Sequence, residues 1–148
     1  MDMQEIEKNS DNKEFMLQAV KESGKNLELA SENLQDDKDV VMEALKQDGE
    51  ALEFASTRLK GDKELMQLAI KTAPWTICYA SEQLAGDKEI MLECCKNYGQ
   101  ALYYASEELR DDKDVVKVAV ENKGIIIKYA SKRLIDDKEL AELAVKQN

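Results

Sequence analysis

Residues 37–61 read DKDVVMEALKQDGEALEFASTRLKG, and the same pattern returns every 25 residues along the chain. An Ala-Ser pair fixes the register in five copies: Ala30-Ser31, Ala55-Ser56, Ala80-Ser81, Ala105-Ser106 and Ala130-Ser131. Asp-Lys pairs keep the same step at Asp37, Asp62, Asp87, Asp112 and Asp137, with Asn12-Lys13 as a weaker first member. A constant period of this kind is typical of repeat proteins, in which each repeat buries its apolar face against its neighbours.

The first half of each repeat predicts a short α-helix. In the second copy it runs from about Lys38 to Gln47, and its apolar residues fall at the i, i+1, i+4, i+5 spacing that makes one broad stripe. The aspartates that precede it can accept the free amide hydrogens of its first turn. A glycine such as Gly49 follows, and we expect it to end the helix in the left-handed conformation, which costs glycine no Cβ penalty.

The second half predicts another helix, from about Glu50 to Leu59. Its inner face carries the small pair Ala55 and Ser56, which favours close helix approach and a hydroxyl bond back to the carbonyl four residues earlier. Helices this short are unstable alone, so stacking must stabilise them. The sequence therefore predicts an all-α solenoid of about 5.5 tandem 25-residue helix-turn-helix repeats, with about 11 short helices. We expect a polar N-terminal arm over residues 1–11 and a single repeat domain over residues 12–148, with repeats starting near 12, 37, 62, 87, 112 and 137.

Composition narrows the partners and the location. The 148 residues carry a net charge of −10, which repels nucleic-acid phosphates and anionic lipids, so we expect neither nucleic acid nor membrane as a partner. The acidity favours solubility, and a basic partner is the sharper alternative. The sequence shows no apolar run that would span a bilayer and no signal-peptide pattern, and its three cysteines lack a disulfide framework spacing. We expect a cytoplasmic protein, and secretion without a cleaved signal stays open.

The residue types argue against catalysis. The chain has no histidine, which removes Ser-His-Asp and Cys-His chemistry and histidine metal sites. No glycine-rich phosphate loop is present. The acidic clusters around Asp37 and Asp112 lack the alternating oxygen ligands of an EF-hand and are better explained as helix caps. Cys94 and Cys95 replace core residues of other copies. We therefore expect no enzyme activity, no metal site and no cofactor.

Aromatic residues are the candidate binding residues. Trp75 follows Pro74, which replaces the glycine of other copies, and a 25-residue stacking step would bring Trp75 and Tyr103 to one side of adjacent helices. Tyr98 falls at the nearby turn. A second ladder contains Leu29, Phe54, Tyr79, Tyr104 and Tyr129. These aromatic residues either pack between repeats or form a binding surface, since aromatic anchors dominate interfaces. The candidate partner-binding residues are Trp75, Tyr98, Tyr103, Tyr79 and Tyr104.

The repeat D-K-[ED]-x-x-x-x-A-[VIL]-K-x-x-G-x-x-L-x-[YF]-A-S-x-x-L-x-[DG]-D resembles the bacterial family known as domain of unknown function 4116. The resemblance covers residues 12–146 and implies tandem short helices, with no established activity and no catalytic residues. On this reading the protein is a non-enzymatic, acidic scaffold or protein–protein interaction module that binds a protein or peptide. The alternative is a spacer or regulatory repeat module of a larger bacterial protein, including one that is exported.

Overall fold

The computed structural model describes residues 1–147, and this part of the chain is helical without any strand. Contacts group the chain into two compact units, an N-terminal unit Met1–Tyr79 and a C-terminal unit Ala80–Asn148. Six long helices follow the 25-residue step: Lys13–Glu22, Lys38–Gln47, Lys63–Thr72, Lys88–Asn97, Lys113–Asn122 and Lys138–Lys146. The all-α fold of tandem helical repeats is thus confirmed. The division into an N-terminal arm and one repeat domain stays a prediction.

The second half of each repeat is not one continuous helix. In the second copy, a 3-10 helix spans Gly49–Phe54, and a four-residue α-helix spans Thr57–Lys60. Ala55 and Ser56 between them have extended backbone angles, so the Ala-Ser pair is a link rather than the middle of a helix. The expected helix over 50–59 is therefore corrected to two shorter ones. The 3-10 helices are Gly24–Leu29, Gly49–Phe54, Pro74–Tyr79, Gly99–Tyr104 and Gly124–Tyr129. The short α-helices are Glu32–Gln35, Thr57–Lys60, Glu82–Ala85, Glu107–Arg110 and Lys132–Ile135.

The serine of each Ala-Ser pair caps the short α-helix that follows it. Ser56 Oγ accepts a hydrogen bond from the Leu59 N–H at 3.2 Å, and its hydroxyl donates one to Asp36 Oδ1 of the preceding repeat at 2.6 Å. The backbone N–H of Ser56 donates to the Gln35 carbonyl at 2.9 Å. The expected bond to the carbonyl four residues earlier is wrong, because Ser56 precedes the helix instead of lying inside it. The same hydroxyl bond joins Ser31 to Asp11 and Ser131 to Asp111.

Glycine starts most of the 3-10 helices because the next repeat approaches closely there. A Cβ added to Gly49 would lie 2.5 Å from the Ala69 carbonyl oxygen and 2.6 Å from Thr72 Oγ1. No glycine among residues 1–147 has a positive φ, so the left-handed helix end expected from the sequence is wrong. Pro74 takes the same position in its repeat and begins a 3-10 helix of the same length, as suits a residue with a fixed φ.

The Asp-Lys pairs both cap the long helices and join successive repeats. Asp62 Oδ1 accepts a hydrogen bond from the Leu65 N–H at 3.1 Å, and its Oδ2 lies 3.0 Å from Lys38 Nζ of the preceding repeat. Burial alone would raise the pKa of Asp62, but the hydrogen bonds from Leu65 and Lys38 together outweigh it and lower that pKa. The capping role expected for the acidic clusters is confirmed. Equivalent ion pairs join Lys13 to Asp37, Lys88 to Asp112 and Lys113 to Asp137.

The core of each unit lies between its long helices and 3-10 helices. The helix Lys38–Gln47 contacts both neighbouring long helices of the N-terminal unit, and its apolar stripe is at most 1% exposed. Fully burying a valine or leucine side chain contributes roughly 1.5–3 kcal/mol, so this stacking stabilises helices too short to persist alone. The N-terminal helix Met3–Lys8 adds Ile6, which is 2% exposed, to the same unit.

Hydropathy gives the helices of residues 1–147 no candidate for a membrane span, since none is both long and apolar enough.

Candidate functional site

The exposed aromatic side chains stand on the 3-10 helices. In Gly99–Tyr104, Ala101 and Leu102 are fully buried, whereas Tyr103 and Tyr104 are 52% and 38% exposed. The buried pair fixes the 3-10 helix against the core. Its two terminal tyrosines are therefore presented to solvent from a rigid support.

Four tyrosines of the C-terminal unit form one cluster, which we call the tyrosine cluster. The Tyr103 ring meets the Tyr104 and Tyr129 rings edge-on, at centroid distances of 5.1 and 5.2 Å. Tyr98 joins them through a shared pocket of about 280 Å³, which Gln100 also lines. Edge-on contacts at these distances are favourable for aromatic rings. The cluster is thus a partly exposed aromatic surface whose rings hold one another in place.

Basic side chains lie against two rings of the tyrosine cluster. The Arg110 guanidinium carbon is 5.9 Å from the Tyr103 centroid, and Lys128 Nζ is 5.2 Å from the Tyr129 centroid. Arg110 also donates hydrogen bonds to the carbonyls of Tyr103 at 2.7 Å and Ala105 at 3.1 Å. These rings therefore already act as cation acceptors inside the chain.

A second pocket of the C-terminal unit adjoins Tyr104. Its volume is about 530 Å³, and it is lined by Glu82, Ala85, Tyr104, Ala105, Ser106 and Glu107. Both glutamates are exposed at the start of short α-helices. An aromatic ring beside two carboxylates suits a positively charged group.

Trp75 belongs to a separate pocket in the N-terminal unit, which we call the tryptophan pocket. Trp75 is 46% exposed and lines a pocket of about 210 Å³ with Glu50, Glu53, Thr76 and Tyr79. Thr76 is buried, and its hydroxyl donates to the Ala73 carbonyl at 2.7 Å. This bond anchors the 3-10 helix under Trp75, so the indole is supported at its base while one side faces solvent.

Charged neighbours surround the tryptophan pocket. Lys25 Nζ lies 2.9 Å from Glu50 Oε2, and this hydrogen bond is the main cause of a lowered Glu50 pKa. Lys60 Nζ stands 4.9 Å from the Tyr79 ring centroid. Burial raises the pKa of the Tyr79 hydroxyl, and the nearby Glu53 carboxylate raises it further. Tyr79 therefore stays neutral at physiological pH and serves as a cation-accepting ring.

The family model described as "Domain of unknown function (DUF4116)" matches four overlapping segments of the chain: residues 12–60, 37–85, 87–135 and 112–148. The chain belongs to the DUF4116 family. No match was found among curated proteins or among solved structures. The overlapping matches repeat at the 25-residue step, so the DUF4116 model spans two repeats at a time.

The DUF4116 repeats divide the predicted binding residues between the two units. Trp75 and Tyr79 share the tryptophan pocket, and Tyr98, Tyr103 and Tyr104 share the tyrosine cluster. The expected juxtaposition of Trp75 with Tyr103 stays a prediction, as does a binding role for all five residues. Sequence reasoning left out Tyr129 as a site residue, although its place in the same ladder as Tyr79 and Tyr104 was the available signal.

The cysteines of this DUF4116 chain are packing residues in two cases out of three. Cys94 and Cys95 are buried in the helix Lys88–Asn97, and burial raises the pKa of each thiol to about 12. Cys78 is exposed, although partial burial also raises its pKa. Among residues 1–147, no three cysteine or acidic side chains come together as ligands for a metal ion.

Proposed function

We propose that this DUF4116 protein is a non-enzymatic interaction module that binds another protein or a peptide through exposed aromatic side chains. The observation that carries the proposal is the tyrosine cluster, in which Tyr103 and Tyr104 are substantially exposed and yet held by ring contacts. Aromatic residues are enriched at interfaces because they bury a large area at a low cost in side-chain entropy.

The rigidity of the support favours binding over incidental exposure. Tyr103 is fixed by Tyr104 on one side and by Tyr129 on the other, and its carbonyl accepts a hydrogen bond from Arg110. A partner that covers this surface would immobilise few additional side-chain torsions. Preorganisation of this kind raises affinity by lowering the entropy that association costs.

A non-catalytic role agrees with the use made of the acidic residues. The aspartates of the repeats cap helices and pair with lysines of the preceding repeat, as Asp62 does with Lys38. These carboxylates occupy equivalent environments, whereas acid–base catalysis needs carboxylates whose pKa values are pushed apart. The chain also has no histidine.

The proposal is tested by affinity capture with variants of the full chain. Bound proteins are identified with the wild type as bait, and direct binding is then verified with purified components. We expect the double variant Tyr103→Ala/Tyr104→Ala to lose the verified partner by tenfold or more in affinity. The control is Val145→Ala, which removes an apolar side chain that is 75% exposed on a different helix. Equal binding by all three proteins would overturn the proposal and favour the spacer role.

A further inference from the structure

The tyrosine ladder carries its own cation in two of its three places. Lys60 stands 19 residues before Tyr79 and places its Nζ 4.9 Å from that ring. Arg110 stands 19 residues before Tyr129 and lines a pocket of about 450 Å³ with it. Each basic residue is the last residue of the short α-helix that precedes its ring, in Thr57–Lys60 and Glu107–Arg110.

The third place, at Tyr104, has no such cation. The residue 19 positions before Tyr104 is Ala85, the last residue of the short α-helix Glu82–Ala85. Its methyl group leaves the pocket of about 530 Å³ beside Tyr104. We call this the Tyr104 pocket, lined as above by residues 82, 85 and 104–107.

The surroundings of the Tyr104 pocket have also lost a positive charge. In two other repeats an arginine pairs with an aspartate, Arg58 with Asp36 and Arg133 with Asp111, at 2.9 and 3.0 Å. The equivalent positions here are Glu108 and Gly86. Within the described part of the chain, the side chains lining the pocket include two carboxylates and no basic group, although Glu107 also lines the neighbouring pocket that contains Arg110.

We propose that the Tyr104 pocket binds a lysine side chain of a partner protein. Its ammonium group occupies the place that Lys60 takes at Tyr79 and pairs with the carboxylates of Glu82 and Glu107. Lysine fits better than arginine because Lys60 is the cation seen on an equivalent ring, whereas Arg110 turns back to donate to backbone carbonyls. The inference rests on the proposed function and names the chemistry of the partner that this surface accepts.

The first experiment is an amide chemical-shift titration of the isotope-labelled full chain. The probe is a capped Gly-Lys-Gly-Lys-Gly peptide, and the matched control peptide carries Nζ-acetylated lysines. We expect the charged peptide to shift the amides of Ala85, Tyr104, Ser106 and Glu107, and the acetylated peptide to leave them unchanged. Shifts confined to the tryptophan pocket would overturn this inference and leave the proposed function standing. The absence of shifts at the Tyr104 pocket would also overturn it.

Two pairs of variants separate the ring and the vacancy from net charge. Tyr104→Phe keeps the ring and should bind the peptide within twofold of the wild type. Tyr104→Leu should bind it two- to fivefold more weakly, as expected for an exposed cation–ring contact. Ala85→Lys supplies the missing cation within the chain and should weaken binding fivefold or more. Gln83→Lys adds the same charge at an exposed position two residues away and is the matched control.

The outcome of the lysine pair decides the inference even if one ring variant folds poorly. A stronger loss for Ala85→Lys than for Gln83→Lys supports it, because only the former fills the Tyr104 pocket. Equal losses for the two variants would overturn it, since net charge alone would then explain binding. The amide spectrum of each variant verifies that the fold is retained.

Discussion

The hydroxyl of Ser56 donates a hydrogen bond of 2.6 Å to Asp36 Oδ1, twenty residues earlier in the chain. The same oxygen accepts a hydrogen bond from Arg58 Nε at 2.9 Å. The Ser56 bond and then the Arg58 bond lower the pKa of Asp36. This three-residue link joins successive repeats and recurs among Ser131, Asp111 and Arg133.

The repeat that contains Ser106 lacks this link, and transplanting it should stabilise the protein. Gly86 and Glu108 stand where the other repeats have aspartate and arginine. A Cβ at Gly86 would lie 3.6 Å from Ser106 Oγ, so an aspartate there reaches the hydroxyl without strain. We expect Gly86→Asp/Glu108→Arg to raise the free energy of unfolding by about 0.5–1 kcal/mol, measured by urea denaturation.

The single variant Gly86→Asp is the control for that transplant. It places the new carboxylate near Glu108 without the arginine, so it should gain less than the double variant. A double variant no more stable than this single one would show that the arginine adds nothing to the link.

Two glycines predict opposite effects of the same substitution. An alanine at Gly49 would place its Cβ 2.5 Å from the Ala69 carbonyl oxygen, a backbone atom that cannot move alone. Overpacking of this kind costs about 1–3 kcal/mol of unfolding free energy. An alanine at Gly86 meets nothing closer than 3.6 Å and should gain about 0.4–1 kcal/mol by restricting the unfolded chain. Both are measured by urea denaturation.

The comparison of Gly49→Ala with Gly86→Ala tests why glycine occupies the repeat position. Destabilisation by both variants to the same extent would mean that backbone freedom is what matters there. The close approach of the next repeat would then not explain Gly49.

The long helices could be predicted from sequence because their signals are local. Lys38–Gln47 begins after a capping aspartate and carries one apolar stripe, and both features lie within a dozen residues. The second half of the repeat misled sequence reasoning because Leu52 and Leu59 have the spacing of a continuous helix. That spacing arises here from a 3-10 helix and a separate short α-helix. The role of Gly49 depends on the Ala69 carbonyl of the next repeat and has no local signal.

The candidate site was only partly accessible from sequence. Tyr103 and Tyr104 could be chosen because aromatic residues at these positions depart from the repeat pattern. The Tyr103–Tyr129 ring contact joins residues 26 apart, and it depends on how two 3-10 helices stack. The Tyr104 pocket depends on what Ala85 lacks, which becomes visible only beside the Lys60–Tyr79 contact.

The capping aspartates predict a loss of stability in acid. Hydrogen bonds lower the folded-state pKa of Asp62 despite its partial burial. A lowered folded-state pKa gives stability that is fully present above the unfolded value of about 3.9 and is lost as the pH falls through the folded value. We expect the unfolding free energy to be level between about pH 7 and pH 5 and to decline below about pH 4.

The variant Asp62→Asn tests the origin of that decline. Asparagine keeps the helix cap, as Asn12 does in the first repeat, but cannot pair with Lys38 as an anion. Its unfolding free energy should be lower at pH 7 and change less in acid. Asp136→Asn, at the end of the last short α-helix, should behave as the wild type. Identical pH profiles for Asp62→Asn and the wild type would contradict the assignment.

The three thiols should differ in reactivity. Cys94 and Cys95 are at most 1% exposed with pKa values of about 12, so neither presents a thiolate at pH 8. We expect a disulfide reagent at that pH to modify Cys78 alone in the native protein, and all three cysteines in urea. Modification of Cys94 or Cys95 in the native protein, checked by mass spectrometry after digestion, would contradict the packing of the helix Lys88–Asn97.

The central claim is that the tyrosine cluster is a binding surface, and amide hydrogen exchange with and without the verified partner tests it most directly. The account predicts that the partner slows exchange in Gly99–Tyr104 and Gly124–Tyr129, the two 3-10 helices that carry the cluster. Protection confined to other segments, with exchange in both of these helices unchanged, would contradict it.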